Sequence, residues 1–340
     1  MFYDLPVARV VEETADAKSF VFDVPFSLKT EMRYRAGQFV TLEVDVGGET
    51  LRRCYSLASS PDCESEPKIT VKRTQGGKVS NWLNDRVQAG HELSVMPPEG
   101  RFVLDARDAP LLLFAGGSGI TPVISILKSA LTTTRRRATL VYANRDRGAT
   151  IFAAELEGLA AAHPGRIDVR HRLDDLHGVI DGASVHAVAR EHLDASCFVC
   201  GPGPFMGVVE RALMGAGVPP DHVRIERFTI ASSGARPAGD GSTDQGEIPD
   251  FVEVELRGKR HRVPYTPGKT LLQTARDAGI DAPYSCEEGF CGCCASDLLE
   301  GKVKMDADDA LSTEEKRRGM ILACQSRPTT GRCVFRFVDG

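Results

Sequence analysis

Four of the ten cysteines stand within nine residues, in "CEEGFCGCC", Cys286 to Cys294. A loop this dense in thiols is built to hold something, and three occupants compete. The N-terminus "MFYDLPVARVVEE" lacks the basic, apolar and cleavage regions of a secretory signal, and the longest apolar run, "APLLLFAGG", is far short of the roughly 20 residues that cross a bilayer. A cytoplasmic, reducing location is therefore expected, which disfavours a disulfide frame. Structural zinc would want paired C-x2-4-C clips, and no second clip follows. The spacing favours iron and sulfur. Cys286, four residues, Cys291, two residues, Cys294 and then Cys324 after twenty-nine more reproduces the C-x4-C-x2-C…C ligand spacing of a 2Fe-2S centre. Gly289 and Gly292 would leave backbone N–H groups free to turn toward sulfur. Cys293 falls between ligands, and Cys333 lies beyond the last one.

The rest of the chain divides around this loop. Residues 231 to 250, "ASSGARPAGDGSTDQGEIPD", hold Ile248 as their only large aliphatic and cannot bury enough apolar area to order themselves, so they read as a flexible linker. The unit beyond, 251 to 340, opens with "FVEVELRGKRHRVPYTPGKTLLQTARDAGI", a hairpin and then a helix. Residues 1 to 104 show short alternating strands broken by turn signals, such as "GQFVTLEVDVGG" and "KITVKRTQGG", with one helix at "VSNWLNDRV"; this suits a small antiparallel barrel. Residues 105 to 230 alternate uninterrupted apolar strands with helices, the pattern of a doubly wound parallel sheet buried on both faces. The fold class is thus multidomain: antiparallel β-barrel, α/β sheet and a small α+β domain.

Charge is uneven. Asp281 to Cys324 holds ten acidic and five basic residues, so this stretch alone carries the chain's net charge of −5. An acidic face there would suit a basic partner and argues against nucleic acid, although a solvated surface explains the same numbers.

Two turns carry nucleotide chemistry. "LLLFAGGSGITPVISILKSAL" is an apolar strand, a turn with Gly116, Gly117 and Gly119, and an amphipathic helix with Pro122 in its first turn; a pyrophosphate can approach such a backbone and meet the helix N–H groups. "CFVCGPGPFM" ends a second strand at the same edge of the sheet with Cys200, Gly201 and Pro202, where open parallel sheets bind ligands. Cys197 reads as a buried small hydrophobe and Cys200 as a residue at the lip of the site. Arg145 and Arg147 could meet a ribose 2'-phosphate, but Asp146 between them would repel it and solvated surface charges explain the arginines equally well, so NADH is expected over NADPH. In the N-terminal domain, "RRCYSL" sets Arg53 and Tyr55 on one strand face, able to hold a phosphate and pack on a flat ring. "GGKVSNWL" offers glycines before a helix start, with Ser80 as its expected N-cap and a second anion site. Trp82 reads as core packing.

Taken in order, "RCYS", "GKVS", "GGSGITP" and "CGPGPFM" resemble the signatures of the ferredoxin-NADP reductase superfamily, over residues 1 to 230. The resemblance implies that Arg53, Tyr55 and Ser56 contact a flavin and its phosphate. It implies that Val71, Lys72, Gly77, Lys78, Val79 and Ser80 line FAD, with Gly77 and Ser80 marking FAD rather than FMN. Gly116, Gly117, Gly119, Thr121, Cys200, Gly201 and Pro202 would receive the nicotinamide nucleotide. "IERF" matches the closing acidic and aromatic positions, which puts Glu226 and Phe228 near flavin and nicotinamide. By the same resemblance, Ser56 lies near flavin N5 and Thr121, Cys200 and Glu226 place the nicotinamide for hydride transfer. Residues 251 to 340 resemble a plant-type β-grasp ferredoxin with Cys286, Cys291, Cys294 and Cys324 as cluster ligands.

Flavin barrel, nucleotide domain, linker and C-terminal ferredoxin resemble the reductase components of multicomponent oxygenases. "DAPYSCEEGFCGCC", "GKVKM" and "ILACQSRP" point within them to the steroid 9-alpha-hydroxylase reductases, with phenylacetyl-CoA epoxidase reductases as near relatives. The implied activity is electron transfer from NADH through FAD and the 2Fe-2S centre to a terminal, Rieske-type oxygenase, which would bind the organic substrate. Direct reduction of a small acceptor is the alternative.

Overall fold

A computed structural model describes residues 1–227, 248–289, 291–308, 310–311 and 313–338. Phe228 and residues 231–247 of the expected linker lie outside them. The chain forms two compact units, Met1–Glu226 and Arg227–Gly340.

The first unit opens with strands β1 (Tyr3–Thr14), β2 (Ala17–Phe22), β3 (Phe39–Val46), β4 (Glu49–Ser56) and β5 (Lys68–Lys72), helix α1 (Lys78–Arg86) and strand β6 (Glu92–Val95). They form one antiparallel sheet in the order β4-β3-β6-β1-β2-β5. A bridge from Leu57, just past β4, to Ile69 in β5 brings its two edges together and curls the sheet toward a barrel. Phe20, Phe22, Leu42, Leu57 and Ile69 fill it, and Leu83 of α1 plugs one end, fully buried with Val79 beside it. Each such side chain contributes about 1.5–3 kcal/mol on leaving water. Trp82 packs half-buried on this core, as its apolar setting implies.

The same unit continues with β7 (Leu111–Gly116), α2 (Ile120–Thr133), β8 (Ala138–Asn144), α3 (Ala153–Ala162), β9 (Ile167–Leu173), α4 (Asp174–His177), α5 (Gly182–Arg190), β10 (Ser196–Cys200), α6 (Gly203–Ala216) and β11 (Val223–Glu226). All five strands are parallel, in the order β11-β10-β7-β8-β9. Every residue of β7, β8 and β10 is buried, which explains why these strands lack an alternating pattern.

Helix α2 departs from its expected amphipathic role. Every residue from Ile120 to Leu131 is buried, polar ones included. Its apolar side covers the sheet, and its polar stripe meets the barrel. Ser125 Oγ donates to Ser59 O at 2.6 Å and accepts from Gly37 N at 3.2 Å. Ser129 Oγ meets Ser60 Oγ at 2.7 Å. Lys128 Nζ lies 2.6 Å from Glu64 and 2.9 Å from Glu155, and Lys68 reaches Glu155 at 3.2 Å. The helix that starts at the glycine-rich turn is therefore clamped to the barrel by a polar seam.

The second unit holds β12 (Phe251–Leu256), β13 (Lys259–Pro264), α7 (Leu271–Asp277), β14 (Ala295–Glu300), β15 (Val303–Met305), α8 (Thr313–Arg317), β16 (Met320–Leu322), β17 (Ser326–Pro328) and β18 (Val334–Phe337). The main sheet runs β13-β12-β18-β14-β16, with β15 and β17 forming a separate pair. The expected hairpin and helix are β12–β13 and α7, the helix started by a reciprocal capping box between Thr270 and Gln273. The acidic stretch does not form an unbroken acidic face. Asp281, Glu287, Asp297, Glu300 and Asp306 pair with Arg257, Arg276, Arg336, Arg332 and Arg327, all from outside the stretch, while Asp308 and Glu314 pair with Lys316 and Arg317 within it. Folding thus brings distant arginines onto the charges that a linear count leaves exposed. No described helix is long and apolar enough to cross a membrane.

Candidate functional site

Strand β4 sorts its motif by pleat. Arg53 stands opposite Leu42 and Tyr55 opposite Val40 on β3, so the two share the side that carries the barrel core. Ser56 follows on the other side, opposite Phe39, and is buried at the strand's end. Burial pushes the Tyr55 phenol up, so the ring stays neutral. Val71 is fully enclosed in the barrel core, leaving only its backbone to a ligand, and Lys72 turns to Asp16 at 3.6 Å.

Helix α1 corrects one expectation. Its N-cap is Gly77, and Ser80 occupies the third helical position. The Ser80 hydroxyl instead accepts from Thr74 N at 3.2 Å, closing the preceding turn. An added Cβ on Gly77 would sit 2.5 Å from Ser80 Oγ, so glycine is what lets that turn close. No side chain caps α1. Its first N–H groups, at Lys78 and Val79, are therefore donors suited to a pyrophosphate, and this geometry fits FAD. The Lys78 ammonium pairs with Glu49.

At the carboxyl edge of the parallel sheet the two glycine turns pack on each other. A Cβ on Gly119 would overlap the Cys200 carbonyl, one on Gly116 would lie 2.9 Å from Pro202 Cδ, and one on Gly201 2.7 Å from Phe205 Cδ1. These three glycines serve the contact between the turns. Gly117 differs: its φ is 53° and a Cβ there would meet nothing within 4 Å, so open space lies above it. Neither this turn nor the start of α6, behind Pro202, has a side-chain cap. Uncapped N–H groups at both turns suit a dinucleotide phosphate. Thr121 lies in the same turn with its hydroxyl donated to Ser118 O at 3.1 Å.

Ser56, Cys200 and Glu226 converge from separate elements. Ser56 Oγ donates to Glu226 Oε2 at 3.2 Å, and Cys200 and Glu226 are register partners on β10 and β11. Glu226 is closely surrounded by protein yet retains an accessible edge. Burial pushes its carboxyl up to about 8, against the opposing pull of the Ser56 hydrogen bond. Near neutral pH it keeps its proton. Cys200 is not at an open lip: its side chain is completely enclosed, and burial first, then the adjacent Glu226, drives its thiol up. Cys197 is buried as expected.

In the second unit, each candidate ligand sulfur accepts an N–H. Glu288 N points to Cys286 Sγ at 3.4 Å, Cys293 N to Cys291 Sγ at 3.5 Å, Cys324 N to Cys294 Sγ at 3.4 Å and Gln325 Nε2 to Cys324 Sγ at 3.5 Å. Four sulfurs, each served by a donor, are the environment that thiolates bound to iron require. Gly289 (φ 83°) and Gly292 (φ 73°) make the left-handed turns of this loop. Sequence reasoning missed two residues, Lys128 and Gln325. Only the position of Gln325, directly after Cys324, could have drawn attention to it.

Three family models match in order: an oxidoreductase FAD-binding domain over residues 4–104, an oxidoreductase NAD-binding domain over 113–211 and a 2Fe-2S iron-sulfur cluster binding domain over 254–329. The chain is 46% identical to the ferredoxin reductase component of 3-ketosteroid-9-alpha-monooxygenase from Rhodococcus rhodochrous, across 98% of this chain and 96% of that protein. The chain belongs to the oxygenase reductase family. This reductase is also 33% identical to one component of the 1,2-phenylacetyl-CoA epoxidase from Escherichia coli, over 99% of its length and 98% of that component's. Phthalate dioxygenase reductase, described as a modular structure for electron transfer from pyridine nucleotides to [2Fe-2S], superimposes with a TM-score of 0.62 at 26% identity, covering 99% of this chain and 98% of that one. The reductase is accordingly an NAD-dependent oxidoreductase with FAD-binding, NAD-binding and 2Fe-2S domains.

Proposed function

We propose that this reductase takes electrons from NADH and delivers them to a Rieske-type terminal oxygenase that hydroxylates a 3-ketosteroid, in the cytoplasm. The observation that carries the reading is the presence, in one chain, of two uncapped glycine turns at a sheet edge and four candidate ligand cysteines, three in one loop and Cys324 beyond it, whose sulfurs all face N–H donors. The similarity over nearly the whole chain to a 3-ketosteroid-9-alpha-monooxygenase component supports the choice of substrate class.

The bound groups supply hydride acceptance by FAD and single-electron carriage by the 2Fe-2S centre. The protein's part is placement and proton control. The N–H groups of Lys78 and Val79 hold the FAD pyrophosphate, Arg53 holds flavin phosphate, and the neutral ring of Tyr55 packs on the flavin. The turns at Gly117 and Gly203 receive the nicotinamide nucleotide. Glu226 holds a proton on one carboxyl oxygen and accepts the Ser56 hydroxyl on the other at 3.2 Å, so a neutral hydrogen-bonded pair would face the reacting rings. The enclosed Cys200 thiol keeps water from the same corner. Cys286, Cys291, Cys294 and Cys324 hold the cluster.

NADH is preferred over NADPH because Asp146 is fixed at the end of β8: it binds Arg145 at 2.9 Å and accepts from Ala149 N at 2.9 Å. A carboxylate held there repels a 2'-phosphate and occupies the arginine that would attract it.

Anaerobic titration with NADH, followed by visible and EPR spectra, tests the reading. Flavin bleaching followed by a reduced 2Fe-2S signal is expected, and its absence at excess NADH would sink the mechanism. Reduction of a Rieske oxygenase that weakens with salt supports the partner; undiminished activity toward small acceptors after removal of residues 231–340 would point to direct reduction of a small acceptor.

A further inference from the structure

Gln325 follows the fourth candidate ligand, and its amide sits where the cluster loop meets Cys324. Nε2 lies 2.9 Å from Glu287 O, 3.2 Å from Cys324 O and 3.5 Å from Cys324 Sγ. All three neighbours are acceptors, so the atom facing them is the amide nitrogen. The flipped amide would set its oxygen against two carbonyls and a sulfur. Its two N–H bonds therefore serve three acceptors, one of them by sharing.

The surroundings hold this amide in place. Glu287 adopts the left-handed conformation at φ 54° and turns its carbonyl toward Gln325. Its carboxylate is anchored by Arg276 at 2.8 Å, and that guanidinium lies 3.8 Å over the Tyr284 ring. The aliphatic stem of Gln325 lies against Gly289, where an added Cβ would be 2.8 Å from Gln325 Cγ. Backbone N–H groups serve the sulfurs of Cys286, Cys291 and Cys294; Cys324 has the Gly289 backbone N–H and, in addition, the Gln325 side chain, which substitution can remove.

We propose that Gln325 is a positioning residue of the cluster site: its amide straps the 287–289 segment to Cys324 and its N–H toward Cys324 Sγ favours the reduced, more negative state of the centre. The inference rests on the four-cysteine ligand reading. Reduction adds one negative charge, part of it borne by the thiolate sulfurs, and a donor stabilises that charge more after the electron arrives than before.

The test is an EPR-monitored redox titration of the full-length, FAD-loaded and cluster-loaded reductase as wild type, Gln325→Met and Gln325→Glu. Methionine keeps the stem against Gly289 and lacks the donor; glutamate keeps the shape and presents oxygen. The expected result is a retained cluster signal with the oxidised-to-reduced equilibrium shifted toward oxidised, by about tenfold, which is 59 mV for a one-electron couple. The shift should be larger for glutamate than for methionine, with the FAD potential unchanged. Intact signals with unshifted cluster potentials in both variants overturn the proposal. Should the variants not hold a cluster, the wild type decides: pulsed EPR of reduced protein labelled with glutamine-amide 15N should show a nitrogen coupling, and its absence overturns the proposal equally. A wild type without any cluster signal would instead overturn the ligand reading.

Discussion

Replacing Lys128 with methionine examines the seam between barrel and nucleotide domain. The side chain is only 4% exposed and its ammonium meets Glu64 at 2.6 Å and Glu155 at 2.9 Å. Breaking a buried pair costs about 3–5 kcal/mol, while a solvent-exposed pair is worth up to about 1 kcal/mol. This one lies between, since Glu64 and Glu155 are 31% and 30% exposed and Glu155 keeps Lys68 as a second partner. Lys128→Met should therefore destabilise the first unit by about 2–3 kcal/mol, and Tm should fall by about 4–12 °C for a unit of this size. Flavin fluorescence and circular dichroism during heating, at fixed FAD concentration, measure it. Because α2 starts at the nucleotide turn, KM for NADH should rise more than kcat falls. Adding Glu64→Gln removes the stranded carboxylate and should restore part of the loss, since its partner Ser60 N at 2.7 Å is still satisfied by an amide oxygen. A single variant within about 0.5 kcal/mol of wild type would refute the buried-clamp argument.

Further outcomes follow from the same geometry. Cys324→Ser should lose or severely perturb the 2Fe-2S absorbance and EPR signal, whereas Cys293→Ser should retain both. Glu226→Gln should remove a titration near pH 8 from single-turnover FAD reduction by NADH. In stability, the folded Glu226 carboxyl binds its proton more tightly than the unfolded one, so its contribution is undiminished below about 4.5 and is lost as pH rises to about 8. The glutamine variant, which cannot ionise, should accordingly gain in Tm relative to wild type above pH 8. Gly119→Ala, whose Cβ would overlap the Cys200 carbonyl, should cost about 1–3 kcal/mol or more and weaken nucleotide binding. Gly117→Ala, with open space but φ 53°, should cost only about 1 kcal/mol. Asp146→Ala should narrow the kcat/KM preference for NADH over NADPH at least several-fold, and an unchanged ratio would remove Asp146 from the selectivity.

Legibility in the sequence followed how local the physics was. The spacing of Cys286, Cys291, Cys294 and Cys324 is dictated by ligand chemistry and can be read without coordinates. The apolar runs of β7, β8 and β10 announce strands buried on both faces, and "TLLQTARD" carries its own capping box at Thr270 and Gln273. Ser80 reads as an N-cap because serine near a helix start usually is one; here Gly77 takes that place and Ser80 closes the turn before it. The enclosure of Cys200 is invisible in the sequence because β10 gains its cover from α2, α6 and β11, of which α2 lies far along the chain.

What the sequence determined alone were the properties set by neighbours a few residues apart: the ligand spacing, the order of the nucleotide turns and the strand and helix periodicities. Only the tertiary structure decided which charged groups meet. Lys128 reads as the solvated face of an amphipathic helix until the barrel covers it, and the acidic count from Asp281 to Cys324 reads as a face until arginines from the β12–β13 turn, α7, β17 and β18 reach it. Ser56 and Glu226 are 170 residues apart and share a hydrogen bond. Electrostatic interactions depend on separation in space and on burial, and neither quantity is written in the separation along the chain.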